Sequence, residues 1–157
     1  MNSFCYLDSP IGRLQLTTDG TTLTGVYMEP SHEQSMLGWA NDATAGALPA
    51  AASQLDEYFA GRRREFDLPL RLEGTPFQRR VWEMLTKIPY GTTWSYGQLA
   101  HLIENPKASR AVGLANGRNP IAILVPCHRV IGADGSLTGY GGGLARKRWL
   151  LTHEGLH

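Results

Sequence analysis

Two capping boxes set where helices begin in the second half of this chain. Thr75-Pro76-Phe77-Gln78 and Ser95-Tyr96-Gly97-Gln98 each place a hydroxyl side chain three residues before a glutamine. In such a box the hydroxyl accepts from the backbone N–H three residues on while the glutamine reaches back, so two orphan donors are satisfied together. Pro76 suits the first helical position, where the N–H it lacks would have no partner. From the first box, Phe77, Val81, Trp82, Leu85 and Ile88 share a helical face until Pro89-Tyr90-Gly91 ends the pattern. The second box opens a short helix through Leu102, followed by a tight turn at Asn105-Pro106. Lys107 to Asn116 then reads as a third helix, with Ala108, Ala111, Val112 and Ala115 inward and Gly117 as its stop. Two short helices joined by a brief turn outline a helix-turn-helix.

The first half has a different rhythm. Leu14, Leu16 and Thr18 alternate before Asp19-Gly20, a hairpin turn signal, and Leu23, Val26 and Tyr27 follow. Residues 31–47 are small and polar and read as a loop or a weak helix. Between Pro49 and Phe59, Ala52, Leu55, Tyr58 and Phe59 keep helical spacing, with Gly61 as the stop. Glu65–Leu72 resembles a further short strand. The expected fold is therefore α/β, with a small N-terminal domain over residues 1–72 carrying a short antiparallel sheet. A mainly helical domain with the helix-turn-helix spans 73–157, and the boundary falls near Arg71–Gly74.

Charge separates the halves as well. Residues 1–70 carry four basic and nine acidic residues, a balance of −5, while residues 71–157 carry eleven basic and five acidic, a balance of +6. A cationic half is what a polyanion-binding surface needs, although a solvated surface would show the same asymmetry. Apolar residues, 42% of the chain, suffice for a core. No run approaches the ~18 apolar residues of a membrane span, so no membrane association is expected. The start of the chain lacks a basic stretch followed by an apolar one, so a cytoplasmic location is expected. In that reducing setting Cys5 and Cys127 are expected as two free thiols.

Ile121-Ala122-Ile123-Leu124-Val125 is a continuous apolar run, read as a buried strand that delivers Pro126-Cys127-His128-Arg129-Val130. A cysteine followed by histidine at the end of such a strand suggests an activated thiol, provided a base or positive charge lowers its pKa. Adjacent strand residues point to opposite faces, so direct contact between Cys127 and His128 requires the chain to turn at Pro126.

The segment NPIAILVPCHRVIG (Asn119–Gly132), with TGYGGG (Thr138–Gly143) and HEG (His153–Gly155), closely resembles the O6-alkylguanine-DNA alkyltransferases, the methylated-DNA–protein-cysteine methyltransferases. Their PCHRV segment stands unchanged at Pro126–Val130. SRAVGLANGRNP (Ser109–Pro120) and SYGQLA (Ser95–Ala100) also match, and DSPIG (Asp8–Gly12) and LDEYFAG (Leu55–Gly61) extend the likeness more loosely into the first half.

That resemblance implies direct, irreversible, stoichiometric transfer of an alkyl group from O6-alkylguanine in duplex DNA to Cys127 after base flipping, with O4-alkylthymine left open. It implies that His128 takes the thiol proton through a water, that Glu154 orients His128, and that Tyr96 assists departure of guanine O6. The backbone N–H of Gly141 would face O6, the carbonyls of Cys127 and Val130 would accept from the exocyclic amine, and Tyr140 would wall the pocket. Asn119 would brace the junction between the recognition helix and the cysteine segment. Arg110 would fill the vacated base stack, with Ala108, Ser109, Gly113 and Ala115 meeting the minor groove. Lys107, Arg118 and Arg129 stay open between phosphate contacts and structural pairs. The implied partner is double-stranded DNA containing alkylated bases, and the implied state is a monomer in solution, with cooperativity on DNA left open. No cofactor is implied. The zinc site of some relatives would have only Cys5 and His32 to draw on, so no metal is expected. A non-catalytic binder of damaged DNA, a helix-turn-helix regulator and a cysteine hydrolase are the alternatives.

Overall fold

The computed structural model describes residues 1–28 and 35–156, which divide into two compact units, Met1–Leu72 and Glu73–His157. His32 lies outside the described residues, as do positions 31–34 of the expected 31–47 loop.

In the first unit, β1 (Ser3–Leu7), β2 (Leu14–Thr18), β3 (Leu23–Met28) and β4 (Ala40–Asn41) form one sheet in the order β3-β2-β1-β4. The first three strands pair antiparallel, and the two-residue β4 joins β1 in parallel. The alternation in β2 suggested one buried face. All five of its residues are buried, because β2 lies between β1 and β3 with α1 (Leu48–Phe59) packed against it. The hairpin turn is held by Asp19, whose carboxylate accepts from the Thr21 and Thr22 backbone N–H groups at 3.0 and 2.7 Å and from the Thr22 hydroxyl at 2.7 Å. These bonds stabilise the ionised form and hold its pKa below the usual carboxylate range. Gly46 approaches this turn so closely that a Cβ there would lie 2.6 Å from the Gly20 carbonyl oxygen. Helix α1 turns Leu48, Ala51, Leu55 and Tyr58 to the core and ends before Gly61, which takes a positive φ of 77°.

The expected strand over Glu65–Leu72 does not form. Only Leu70 bridges Leu23. Pro69 has no N–H to give a ladder, and Asp67 bonds both ways to the Gln54 side chain at 2.9 and 3.0 Å instead.

In the second unit both capping boxes are made. Thr75 caps α2 (Pro76–Leu85), with the Gln78 N–H to Thr75 Oγ1 at 3.1 Å and the return bond at 3.0 Å. Ser95 caps α3 (Tyr96–Leu102) in the same way, at 3.1 and 2.7 Å. The third helix, α4, runs Ser109–Gly117, two residues later in starting than expected, and Gly117 is its last residue rather than its stop. Its buried face is Val112, Ala115 and Asn116, whereas Ala111, expected inward, is exposed. The Trp82 indole N–H donates to the Ala115 carbonyl at 2.8 Å and ties α2 to α4. Trp82→Phe removes that bond and leaves a void, so it is expected to cost about 2 kcal/mol. The melting temperature should fall by roughly 5 °C, and an unchanged melt would show that the indole carries no such load. A short parallel pair, β5 (Trp94–Ser95) with β6 (Val130–Ile131), and α5 (Leu144–His153) complete the unit.

Candidate active site

The apolar run Ile121–Val125 is a buried turn, not a strand. Asn119 organises it: Oδ1 accepts from the Ile121 N–H at 3.0 Å, and Nδ2 donates to the carbonyls of Val125 at 2.7 Å and Ile121 at 3.3 Å. These bonds satisfy backbone groups that a strand would have paired with a neighbour. Ile123 takes φ 72°, a left-handed conformation that a β-branched residue resists, so the surroundings hold it there. The chain does turn at Pro126, and Cys127–Arg129 form a 3-10 turn leading into β6.

Within that turn Cys127, His128 and Arg129 are all buried. His128 Nε2 lies 2.7 Å from Glu154 Oε2, at the C-cap of α5. Glu154 also accepts from Arg129 Nε at 2.8 Å and Nη2 at 3.0 Å, while Arg129 Nη1 donates to the Ile88 carbonyl at 2.7 Å. A carboxylate serving two guanidinium donors is an acceptor, so His128 carries its proton on Nε2 and leaves Nδ1 with a free lone pair. That Nδ1 is buried and has no hydrogen-bond partner among the described residues. Burial pushes the imidazole pKa down against the opposing pull of Glu154, which favours the neutral ring. Arg129, left open in the sequence, is thus a buried structural pair.

An activated thiol was expected at Cys127. Burial instead pushes its pKa up to about 11, outweighing the lowering effects of Asn119, Lys147 and nearby backbone N–H groups. The sulfur therefore rests as a thiol. The Cys127 carbonyl accepts from Asn116 Nδ2 at 3.2 Å and from the Val130 N–H. Cys5 is the other free thiol, buried in β1.

The Tyr96 hydroxyl donates to the Thr138 carbonyl at 3.0 Å, and the Thr138 hydroxyl lies 3.3 Å from it. Tyr140 is partly exposed, yet its hydroxyl is buried and without a hydrogen-bond partner among the described residues. Gly141 is exposed, and Val130 is buried. On α4, Arg110 is exposed and Ala108, Ser109 and Gly113 are half-buried, with Gly113 beside the Tyr96 ring. Ala115 is the exception among the expected DNA contacts. It is 3% exposed and packs with its carbonyl on Trp82, so it cannot meet a groove. Small residues serve close helix packing as well as close approach to DNA, and at this position packing wins.

Sequence reasoning missed two residues. Asn116 entered the sequence reading only as the last residue of the third helix, and it is buried with its Nδ2 on the Cys127 carbonyl. Lys147, which stands between Arg146 and Arg148 and which the sequence did not single out, is fully buried, with Nζ bonded to the Val130 carbonyl at 2.5 Å and the Thr138 carbonyl at 2.8 Å. Trp94 is half-buried and lines a groove of about 540 Å³ with Gly97, Gln98, His101 and Leu102. None of the candidate site residues lines that groove, so it marks a surface feature of α3 rather than the chemistry. Among the described residues no group of three or more His, Cys, Asp or Glu could hold a metal ion, and no helix is long and apolar enough to cross a membrane.

Fold and site together define a class: a helix-turn-helix unit built around a buried cysteine, with a neighbouring histidine held by a carboxylate. Residues 76–156 match the DNA binding domain of 6-O-methylguanine DNA methyltransferase, and residues 4–72 match the ribonuclease-like domain of the same protein. The chain belongs to the 6-O-methylguanine DNA methyltransferase family. It is 58% identical over 149 residues to the methylated-DNA–protein-cysteine methyltransferase of Mycobacterium tuberculosis, covering 94% of this chain and 89% of the relative. It is 49% identical over 154 residues to the protein of that name from Methanosarcina acetivorans, covering 97% of each. A solved structure of Mycobacterium tuberculosis OGT in complex with DNA superposes with a TM-score of 0.90 at 54% identity, covering 97% of this chain and 92% of that one.

Proposed function

We propose that this chain repairs DNA by moving the alkyl group of O6-alkylguanine onto Cys127, once per molecule. The observation that carries the reading is the buried cysteine beside a neutral histidine whose Nε2 is engaged by Glu154 at 2.7 Å. Membership of the family and the names of its relatives support the same chemistry.

The thiol proton passes to His128 Nδ1, through a water, and Glu154 steadies the charge that forms there. Sulfur attacks the alkyl carbon, the S–C bond forms, and the C–O6 bond breaks with its electron pair going to guanine. The Tyr96 hydroxyl, on turning from the Thr138 carbonyl to O6, quenches the charge developing there, and guanine gains one proton for the one that sulfur lost. The balance closes without a cofactor. A thioether has no hydrolytic exit, so the protein is spent. Tyr140 walls the base, the Gly141 N–H faces O6, and the Cys127 and Val130 carbonyls accept from the exocyclic amine. The Val130 carbonyl accepts from Lys147 Nζ and has a second lone pair for the base, whereas the Cys127 carbonyl accepts from both Asn116 Nδ2 and the Val130 N–H, so one of those two bonds would give way to the exocyclic amine. Asn119 keeps the cysteine turn in shape.

The unit Glu73–His157 serves as acceptor and DNA-reading domain, and Met1–Leu72 as a separate N-terminal domain. On α4, exposed Arg110 enters the base stack, with Ala108, Ser109 and Gly113 lining the approach to the minor groove. The working form is a cytoplasmic monomer. Incubation with a duplex containing O6-methylguanine should add one methyl, mapped by peptide mass to Cys127, in a single stoichiometric burst. Bound but unmodified protein would point to a damage binder, and continued turnover of an ester to a hydrolase. Arg110→Ala should slow transfer from the duplex by about 10-fold or more, because unstacking then goes uncompensated, while transfer from the free base holds. Equal slowing of both would remove Arg110 from base extrusion.

A further inference from the structure

We propose that Lys147 is a positioning residue for alkyl transfer: its ammonium ties Thr138 to the cysteine segment at Val130 and sets a positive charge against the sulfur as the thiolate forms. This rests on Cys127 being the acceptor. Lys147 is fully buried, and its hydrogen bonds go to two carbonyls rather than to a carboxylate. An ammonium in that position has lost its hydration without gaining a full counter-charge, a costly arrangement for a residue that only packs. The carbonyls it joins belong to two segments that bracket the site. Val130 follows the cysteine turn, and Thr138 opens the glycine-rich loop and also accepts from the Tyr96 hydroxyl at 3.0 Å. Lys147 Nζ further lies 6.0 Å from the centre of the Tyr96 ring. One cation thus fixes the relative placement of sulfur, loop and tyrosine.

The charge has a second use. Burial makes the Cys127 thiolate expensive, and Lys147 is the cation whose charge favours it. Burial lowers the Lys147 pKa to about 8, so the ammonium is still the main form at neutral pH, where the thiol gives up its proton to His128. The other titratable and charged groups around the sulfur are committed or uncharged. His128 and Arg129 are bonded to Glu154, and Tyr140, its pKa raised by burial, stays a phenol. Lys147 is therefore the cation available to the forming thiolate.

Lys147→Met keeps the stem and removes the charge. Transfer of methyl to Cys127 from an O6-methylguanine duplex should slow by about 100-fold. At pH 7, where Lys147 is still protonated, carbamidomethylation of the Cys127 peptide by iodoacetamide should slow by about 10-fold, because a nearby cation favours the thiolate. Relief of the buried charge offsets the two carbonyls left without this donor, so the melting temperature should stay within about 3 °C of the parent. Lys147→Gln, which retains a donor but no charge, should show the same slowing toward iodoacetamide and serves if the Met variant does not fold. Wild-type methyl transfer with wild-type iodoacetamide reactivity would overturn the proposal, as would slower transfer with the iodoacetamide reactivity unchanged. If the wild-type protein gains no methyl at all, the acceptor reading fails first, and the iodoacetamide rate still tests the charge on its own.

Discussion

Cys127→Ser protein should bind an alkylated duplex with the affinity of the parent and take up no methyl, a loss of roughly 10⁴-fold or more in transfer rate. The change is nearly isosteric at a buried position, so folding is expected to survive it. A serine hydroxyl is a far poorer nucleophile toward saturated carbon, and its proton is much harder for His128 to remove. Intact mass before and after incubation, with a gel-shift titration as the control, makes the comparison. Dealkylation of the duplex at the parental rate would end the account of Cys127 as acceptor.

Glu154→Ala should be the most destabilising single change in the site. It strips the acceptor from Arg129 Nε and Nη2 and from His128 Nε2, bonds of 2.8, 3.0 and 2.7 Å, and leaves a guanidinium buried without its counter-charge. Breaking a buried pair by deleting one partner costs about 3–5 kcal/mol. The melting temperature should drop by roughly 10 °C. Methyl transfer should fall as well, because His128 loses the partner that keeps the proton on Nε2 and the lone pair on Nδ1. Glu154→Gln retains one acceptor oxygen and should fall between the parent and alanine on both measures. A melt of Glu154→Ala within a degree or two of the parent would mean that Arg129 and His128 find other partners.

Legibility in the sequence followed the range of the forces involved. The capping boxes at Thr75 and Ser95 are local chemistry, and both formed as read. The Asp19 turn and the Gly61 stop depend on neighbours along the chain and were equally plain. The short antiparallel sheet and the helical second half followed from periodicity. Misreadings arose where tertiary partners decide. An apolar run such as Ile121–Val125 looks the same as strand or buried turn, and the deciding side chain, Asn119, is identifiable only once its three bonds are seen. Glu65–Leu72 lost its strand to Pro69 and to a glutamine thirteen residues from Asp67. Of the candidate cluster, PCHRV and HEG named Cys127, His128 and Glu154, and the structure brings His128 and Glu154 into contact. Lys147 stayed hidden because Arg146-Lys147-Arg148 carries no apolar signal, and its burial depends on carbonyls from two distant segments.

The high resting pKa of Cys127 bears on the protein's shelf life. Peroxides and small electrophiles attack sulfur chiefly in its ionised form and where they can reach it. Cys127 is only 5% exposed and burial pushes its pKa up to about 11, so the residue is shielded from both hazards. A molecule that can act only once has most to lose from accidental discharge. The same burial that slows the wanted reaction keeps the molecule loaded until damaged DNA arrives.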